Sequence, residues 1–189
     1  MLALLLAAAQ PAEPAPTPDC SYDLEAMLAL DRQAFDQDMD GGWRVLANKV
    51  GCEIATAELI RAWRHEKRDH EEILYWHEGQ MRAYGGQTVE AIALFQLTYK
   101  PPEFDTDFGW NHYVSGTIAF LMGDREHLRQ SIEGLKKVPQ PTVTMTGPDG
   151  TPANIKWPPN LHVLEAFDRC WGKTYAEAYG SEGCVAPKP

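Results

Sequence analysis

The 189-residue sequence contains no Cys-x-x-C pair, no His-Glu-x-x-His, no Gly-x-Ser-x-Gly and no glycine-rich loop leading to a Lys. Their absence removes the short-range signatures of thioredoxin-type redox sites, zinc proteases, hydrolase elbows and phosphate cradles. Positive charge is scarce too: 17 Lys and Arg stand against 27 Asp and Glu, a formal net charge of −10. A surface that negative repels phosphate backbones, so no nucleic-acid partner is expected. No apolar run reaches the roughly 20 residues of a membrane-spanning helix, so no transmembrane segment is expected in the mature chain. What is present is an ordinary globular composition, 44% hydrophobic and 23% charged. That suffices for one domain with a sizeable core.

The first nine residues, Met1 to Ala9, are uninterruptedly apolar, and Gln10 then opens the Pro-rich stretch Pro11-Ala-Glu-Pro-Ala-Pro-Thr-Pro18. An apolar core, small residues and an extended polar segment, in that order, read as a secretory signal peptide over 1–9, although a cationic leader is missing. Residues 10–20 read as a Pro-rich tether, residues 21–180 as the folded domain and 181–189 as a tail. Cys20, Cys52, Cys170 and Cys184 are an even, unclustered set, which suits two structural disulfides in an oxidising compartment. Three pairings are open. Cys20–Cys52 with Cys170–Cys184 is favoured, because each bond pins a terminus to a neighbouring helix. Leader and cysteines together point to a periplasmic or secreted protein.

Apolar periodicity predicts helices over 23–36, 43–50, 53–67, 70–84, 88–99, 108–122, 125–138 and 161–179, with Ser21 as cap of the first. Residues 139–158 break the pattern. Val143 and Met145 flank Pro148-Asp149-Gly150 there, which suggests a small β-hairpin or ordered loop. The fold class is therefore all-α with that one insertion. The glycines between helices, Gly51, Gly86 and Gly123, fall at intervals of 35 and 37 residues. A fixed period of that size marks stacked helical hairpins.

The segment Gly79-Gln-Met-Arg-Ala-Tyr-Gly-Gly-Gln-Thr-Val-Glu-Ala-Ile-Ala-Leu-Phe95 resembles the tetratricopeptide repeat family, and Gly116-Thr-Ile-Ala-Phe-Leu-Met-Gly-Asp124 resembles a second copy. The likeness covers 70–137 well and 40–67 weakly; Thr98 and Glu103 depart from the small residue and the proline of the pattern. The resemblance implies an α-solenoid whose first helices line a concave surface for extended peptides. Carried over by position, its groove residues are Trp76, Gln80, Tyr84, Trp110, Tyr113 and Thr117. Large aromatics with polar tips suit binding hot spots, yet the same residues at helical spacing also suit a core.

Asp36, Asp38 and Asp40, followed by Gly41, match the first half of an EF-hand loop. The twelfth position is Ala47, so the bidentate Glu is missing, and the stretch reads as a solvated acidic turn with only a weak claim on a cation. His65, His70 and His77 cluster without metal-ligand spacing, and read as part of a surface helix carrying pairs such as Glu78–Arg82. No cofactor is implied. The expected function is non-catalytic binding of a protein or peptide through the concave helical surface. The alternatives are an enzyme or enzyme subunit with a His/carboxylate site, and a cation- or small-ligand-binding protein using the Asp36–Asp40 loop. The first test is chemical: thiol titration of the denatured, non-reduced protein should find no free cysteine among the four.

Overall fold

The computed structural model describes residues 17–105, 108–142, 156–181 and 183–184. Among these residues the chain is all-helical, and no helix is long and apolar enough to cross a membrane. The leader, most of the tether, the centre of the expected hairpin and the end of the tail lie outside the described residues. Residues 139–142 and 156–158, which flank the hairpin segment, carry no strand.

The elements are α1 (Leu24–Ala29), a π-helical turn (Gln33–Gln37), α2 (Arg44–Ala47), α3 (Glu53–Lys67), α4 (Glu72–Tyr84), α5 (Thr88–Gln96), a 3-10 turn (Pro102–Phe104), α6 (Trp110–Met122), α7 (Arg125–Lys136), α8 (Leu161–Arg169) and α9 (Tyr175–Ala178). Helices α3 to α7 follow the apolar periodicity closely. Gly51, Gly86 and Gly123 all take left-handed backbone, φ +87°, +80° and +74°, so the spaced glycines are helix stops for a conformational reason.

The two ends differ from expectation. The helix foreseen over 23–36 breaks at Leu30, whose extended backbone leaves its carbonyl to the Trp63 indole at 3.1 Å. Asp31 then caps a new turn through Ala34. The cap of α1 is Asp23, not Ser21. The single helix foreseen over 161–179 splits in two, because Gly172 turns left-handed at φ +84° between α8 and α9.

Successive helices pack as hairpins, α3 on α4, α4 on α5 and α6 on α7, with α8 closing over α6 and α7. Two hydrophobic clusters result. One gathers the π-turn, α2, α3 and part of α4 around the stacked rings of Phe35 and Trp63, 4.5 Å apart. The other fills α4 to α9, and Ile73 and Tyr84 of α4 pack against both.

Ion pairs lock α3 to α4. Glu78, 2% exposed, receives Arg64 of α3 on one oxygen and Arg82 on the other at 2.9 Å; Arg82 also reaches Glu58. Arg64 stacks on Tyr75, 4.0 Å from the ring centre. The Glu78–Arg82 pair is thus a buried clamp rather than the surface pair expected. Disulfides close both ends: Cys20–Cys52 ties the segment before α1 to the N-terminus of α3, and Cys170–Cys184 ties the end of α8 to the tail. These two bonds fit an oxidising compartment.

Close approach within the hairpins depends on glycine. A Cβ at Gly79 would sit 2.7 Å from the Phe95 ring of α5, and one at Gly116 would sit 2.7 Å from Leu164 of α8. Gly79→Val should therefore lower stability by about 1–3 kcal/mol through overpacking, despite the better helix propensity of valine. Denaturant unfolding of the variant checks this.

Candidate functional site

Ile73, His77, Gln80 and Tyr84 recur every three or four residues, so they form one stripe along α4, and all four are half-buried. The sequence candidates assemble on and behind this stripe. Trp76 packs against Trp110 and Tyr113 of α6, with ring centres 4.8 Å away in each case, and against Phe95 at 4.4 Å. Gln80 donates to the Tyr179 hydroxyl at 3.0 Å, and the Tyr113 and Tyr179 hydroxyls lie 3.5 Å apart. Tyr84 meets Tyr175 and Tyr179 edge-on at 5.0 and 5.5 Å. Trp76, Gln80, Tyr84, Trp110 and Tyr113 are thereby one contiguous cluster.

Exposure is where the structure corrects the groove reading. Trp76 and Tyr113 are each 3% exposed, and Thr117 is fully buried with its hydroxyl donated back to the Tyr113 carbonyl. These three are core residues in the oxidised chain. Gln80, Tyr84 and Trp110 stay half-exposed. What covers the face is the chain's own α9, whose flanking Tyr175 and Tyr179 lean on Tyr84 and on Phe167 of α8. Sequence reasoning missed both tyrosines, because periodicity joins 161–179 into one helix and hides the reversal at Gly172.

Burial raises the phenol of Tyr84 far above its usual range, and the neighbouring Tyr179 adds to the shift. Tyr113 and Tyr175 are raised for the same reasons. All three are neutral hydroxyls at any ordinary pH. The Tyr175 hydroxyl is buried with no hydrogen-bond partner among the described residues.

The other end of the stripe opens. A cavity of about 210 Å3 lies between Glu71, Glu72, Ile73, Lys100 and Trp110, with the Trp110 indole donated to the Thr98 carbonyl at 2.7 Å. Its size suits one side chain rather than a drug-sized ligand. A more open hollow of about 850 Å3 surrounds the α3–α4 turn, where Arg32 already pairs with Glu71 at 3.1 Å.

His77 carries a second, unforeseen arrangement. Its Nδ1 lies 2.7 Å from Asp36 Oδ1, and the Trp43 indole donates to the same oxygen at 2.9 Å. Asp36 is fully buried inside the π-turn, a rare geometry enriched at functional sites. In the neutral tautomer with its proton on Nδ1, the ring would hold its lone pair on Nε2, the arrangement of a His–Asp dyad. The cation reading of the acidic loop fails here. Asp36 turns inward to His77 and Trp43, while exposed Asp38 caps the amide of Asp40, so the three carboxylates do not converge. No group of three or more His, Cys, Asp or Glu among the described residues could hold a metal ion. Nothing local in the sequence joins His77 to a carboxylate 41 positions away.

Comparison of the chain with family models, with curated proteins and with solved structures finds no match. The site therefore stands on its own geometry.

Burial works against ionisation of Asp36, but the hydrogen bond and charge of His77, with donation from Trp43 and Gln37, outweigh it, and the carboxyl sits below its usual range. A depressed folded value means the stabilisation is complete above the unfolded carboxylate value of about 3.9 and is lost as pH falls through the folded one. Asp36→Asn should cost about 3–5 kcal/mol at neutral pH, the loss for breaking a buried pair. The gap from wild type should narrow as pH falls below about 4. Denaturant unfolding at pH 7 and pH 3 measures both.

Proposed function

We propose that this chain is an exported, non-catalytic binding protein of the bacterial envelope, a TPR-like array of helical hairpins that holds a protein or peptide segment on the inner face of α4 and α6. One observation carries the reading: residues far apart in sequence converge as a single face of aromatic rings with polar tips, and a peptide element, α9, already lies on it. Rigid aromatics with hydroxyl or amide tips bind with little loss of side-chain entropy. The repeated hairpins, the spaced left-handed glycines and the Gly79–Phe95 contact support the TPR-like arrangement. The two disulfides and the apolar leader support export.

The test uses the immobilised mature chain against its native envelope extract, under oxidising and under reducing conditions. A partner held by wild type should be lost from Gln80→Ala/Tyr84→Ala, whose melting temperature is compared in parallel, with an affinity loss of about 2 kcal/mol or more. Equal retention by the folded variant would remove the face as the binding site. A second reading, hydrolytic or acid–base catalysis, is favoured by the His77–Asp36 dyad alone. It requires an activity that disappears in His77→Gln.

A further inference from the structure

Helix α9 spans only four residues, far fewer than a helix needs to hold itself in water. A capping box shapes it: the Thr174 hydroxyl accepts from the Glu177 amide, and Glu177 accepts from the Thr174 amide at 2.8 Å. The link that delivers it, residues 172–174, is exposed and pivots on left-handed Gly172. Three things keep α9 in place: the packing of Tyr175, Ala178 and Tyr179, the Gln80–Tyr179 hydrogen bond, and the Cys170–Cys184 bond that closes the loop behind it.

One polar atom of this contact is uncompensated: the Tyr175 hydroxyl is buried without a partner among the described residues, while the Tyr179 hydroxyl accepts from Gln80 at 3.0 Å and lies 3.5 Å from that of Tyr113. A polar group desolvated without compensation costs the seated state, and closure of the loop by Cys170–Cys184 favours it. Around that bond the two sulfurs differ. Both are core residues, Cys170 9% and Cys184 1% exposed, and Cys184 Sγ lies 2.8 Å from the Ser181 hydroxyl and 3.5 Å from the Glu177 carbonyl. A thiolate attacking the Cys170 sulfur would expel Cys184 as a thiolate that Ser181 can stabilise by hydrogen bonding.

We propose that α9 is a built-in occupant of the α4–α6 face, that the external partner is a helical turn carrying two phenol rings four residues apart, and that reduction of Cys170–Cys184 by a dithiol exchanges one for the other. This rests on the binding function proposed above and gives it a partner chemistry and a control. The step balances. One thiolate of the dithiol forms a mixed disulfide with Cys170 as the Cys170–Cys184 bond breaks. Its second thiol then displaces Cys170, so the dithiol leaves as a cyclic disulfide, and its two electrons and two protons end on the two cysteine thiols. With the loop open, Tyr175 and Tyr179 keep their packing and the Gln80 hydrogen bond but lose the covalent tie, and yield to a partner in competition.

The experiment uses the full chain, oxidised or carrying Cys170→Ser with Cys184→Ser. The probe is a synthetic peptide of residues 172–184 carrying Cys184→Ser. Hydrogen exchange of the α9 amides reads opening, and fluorescence anisotropy of the labelled peptide reads the face. The expected result is loss of α9 protection in the double variant with α4 and α6 still protected. Peptide affinity should rise at least tenfold over the oxidised chain, and fall at least tenfold when the peptide carries Tyr175→Ala and Tyr179→Ala. Should the double variant not fold, Tyr175→Ala with Tyr179→Ala in the chain, both disulfides intact, empties the face and should bind the peptide without reductant. Protection of α9 unchanged by opening the disulfide overturns this inference and leaves the binding function standing. An opened face that ignores the peptide, or does not distinguish its tyrosines, overturns both.

Discussion

The Glu78 carboxylate holds the rest of the architecture in register. A carboxylate that is 2% exposed needs its positive partners, and it has two, Arg64 from α3 and Arg82 one turn along α4. Separating it from either leaves a desolvated charge, so α4 cannot rotate about its axis without a large penalty. That fixed rotation distributes five consecutive residues around the helix at about 100° apiece. Trp76 faces α6, His77 faces Asp36, Glu78 faces α3, Gly79 admits Phe95 of α5, and Gln80 reaches Tyr179 beyond α9. Every neighbour of α4 is set by this one turn.

Charge and aromaticity therefore play separate parts. The clamp and the His77–Asp36–Trp43 group are polar networks sealed between helices, each satisfied by partners from another segment. The aromatic face is the opposite case, rings that stack readily with hydroxyl tips only partly satisfied. Polar networks of the first kind specify a unique arrangement.

Much of this was legible beforehand. Helices α3 to α7 could be placed from period and glycine stops, because each is long enough for its apolar stripe to dominate. Of the three pairings the cysteines leave open, the favoured one is the pairing formed. The aromatic candidates suit a groove and a core alike in sequence: Trp76 and Tyr113 at helical spacing look the same whether water or another helix covers them. Asp36 reads from sequence as part of a solvated acidic turn, since three alternating carboxylates carry no sign of the π-turn that sends the first of them inward.

The sequence alone determined a mainly helical chain of paired segments, an even set of cysteines suited to two bridges and a concentration of aromatics on the first helices of the hairpins. Those are local properties, set by periodicity, backbone freedom at glycine and residue chemistry within a turn or two. Only the tertiary structure decided that His77 meets Asp36, that Glu78 is clamped by two arginines and that α9 lies on the aromatic face. Each of these joins side chains through the rotation of α4 and the reversal at Gly172. Burial depends on what packs opposite, and no local pattern carries that information.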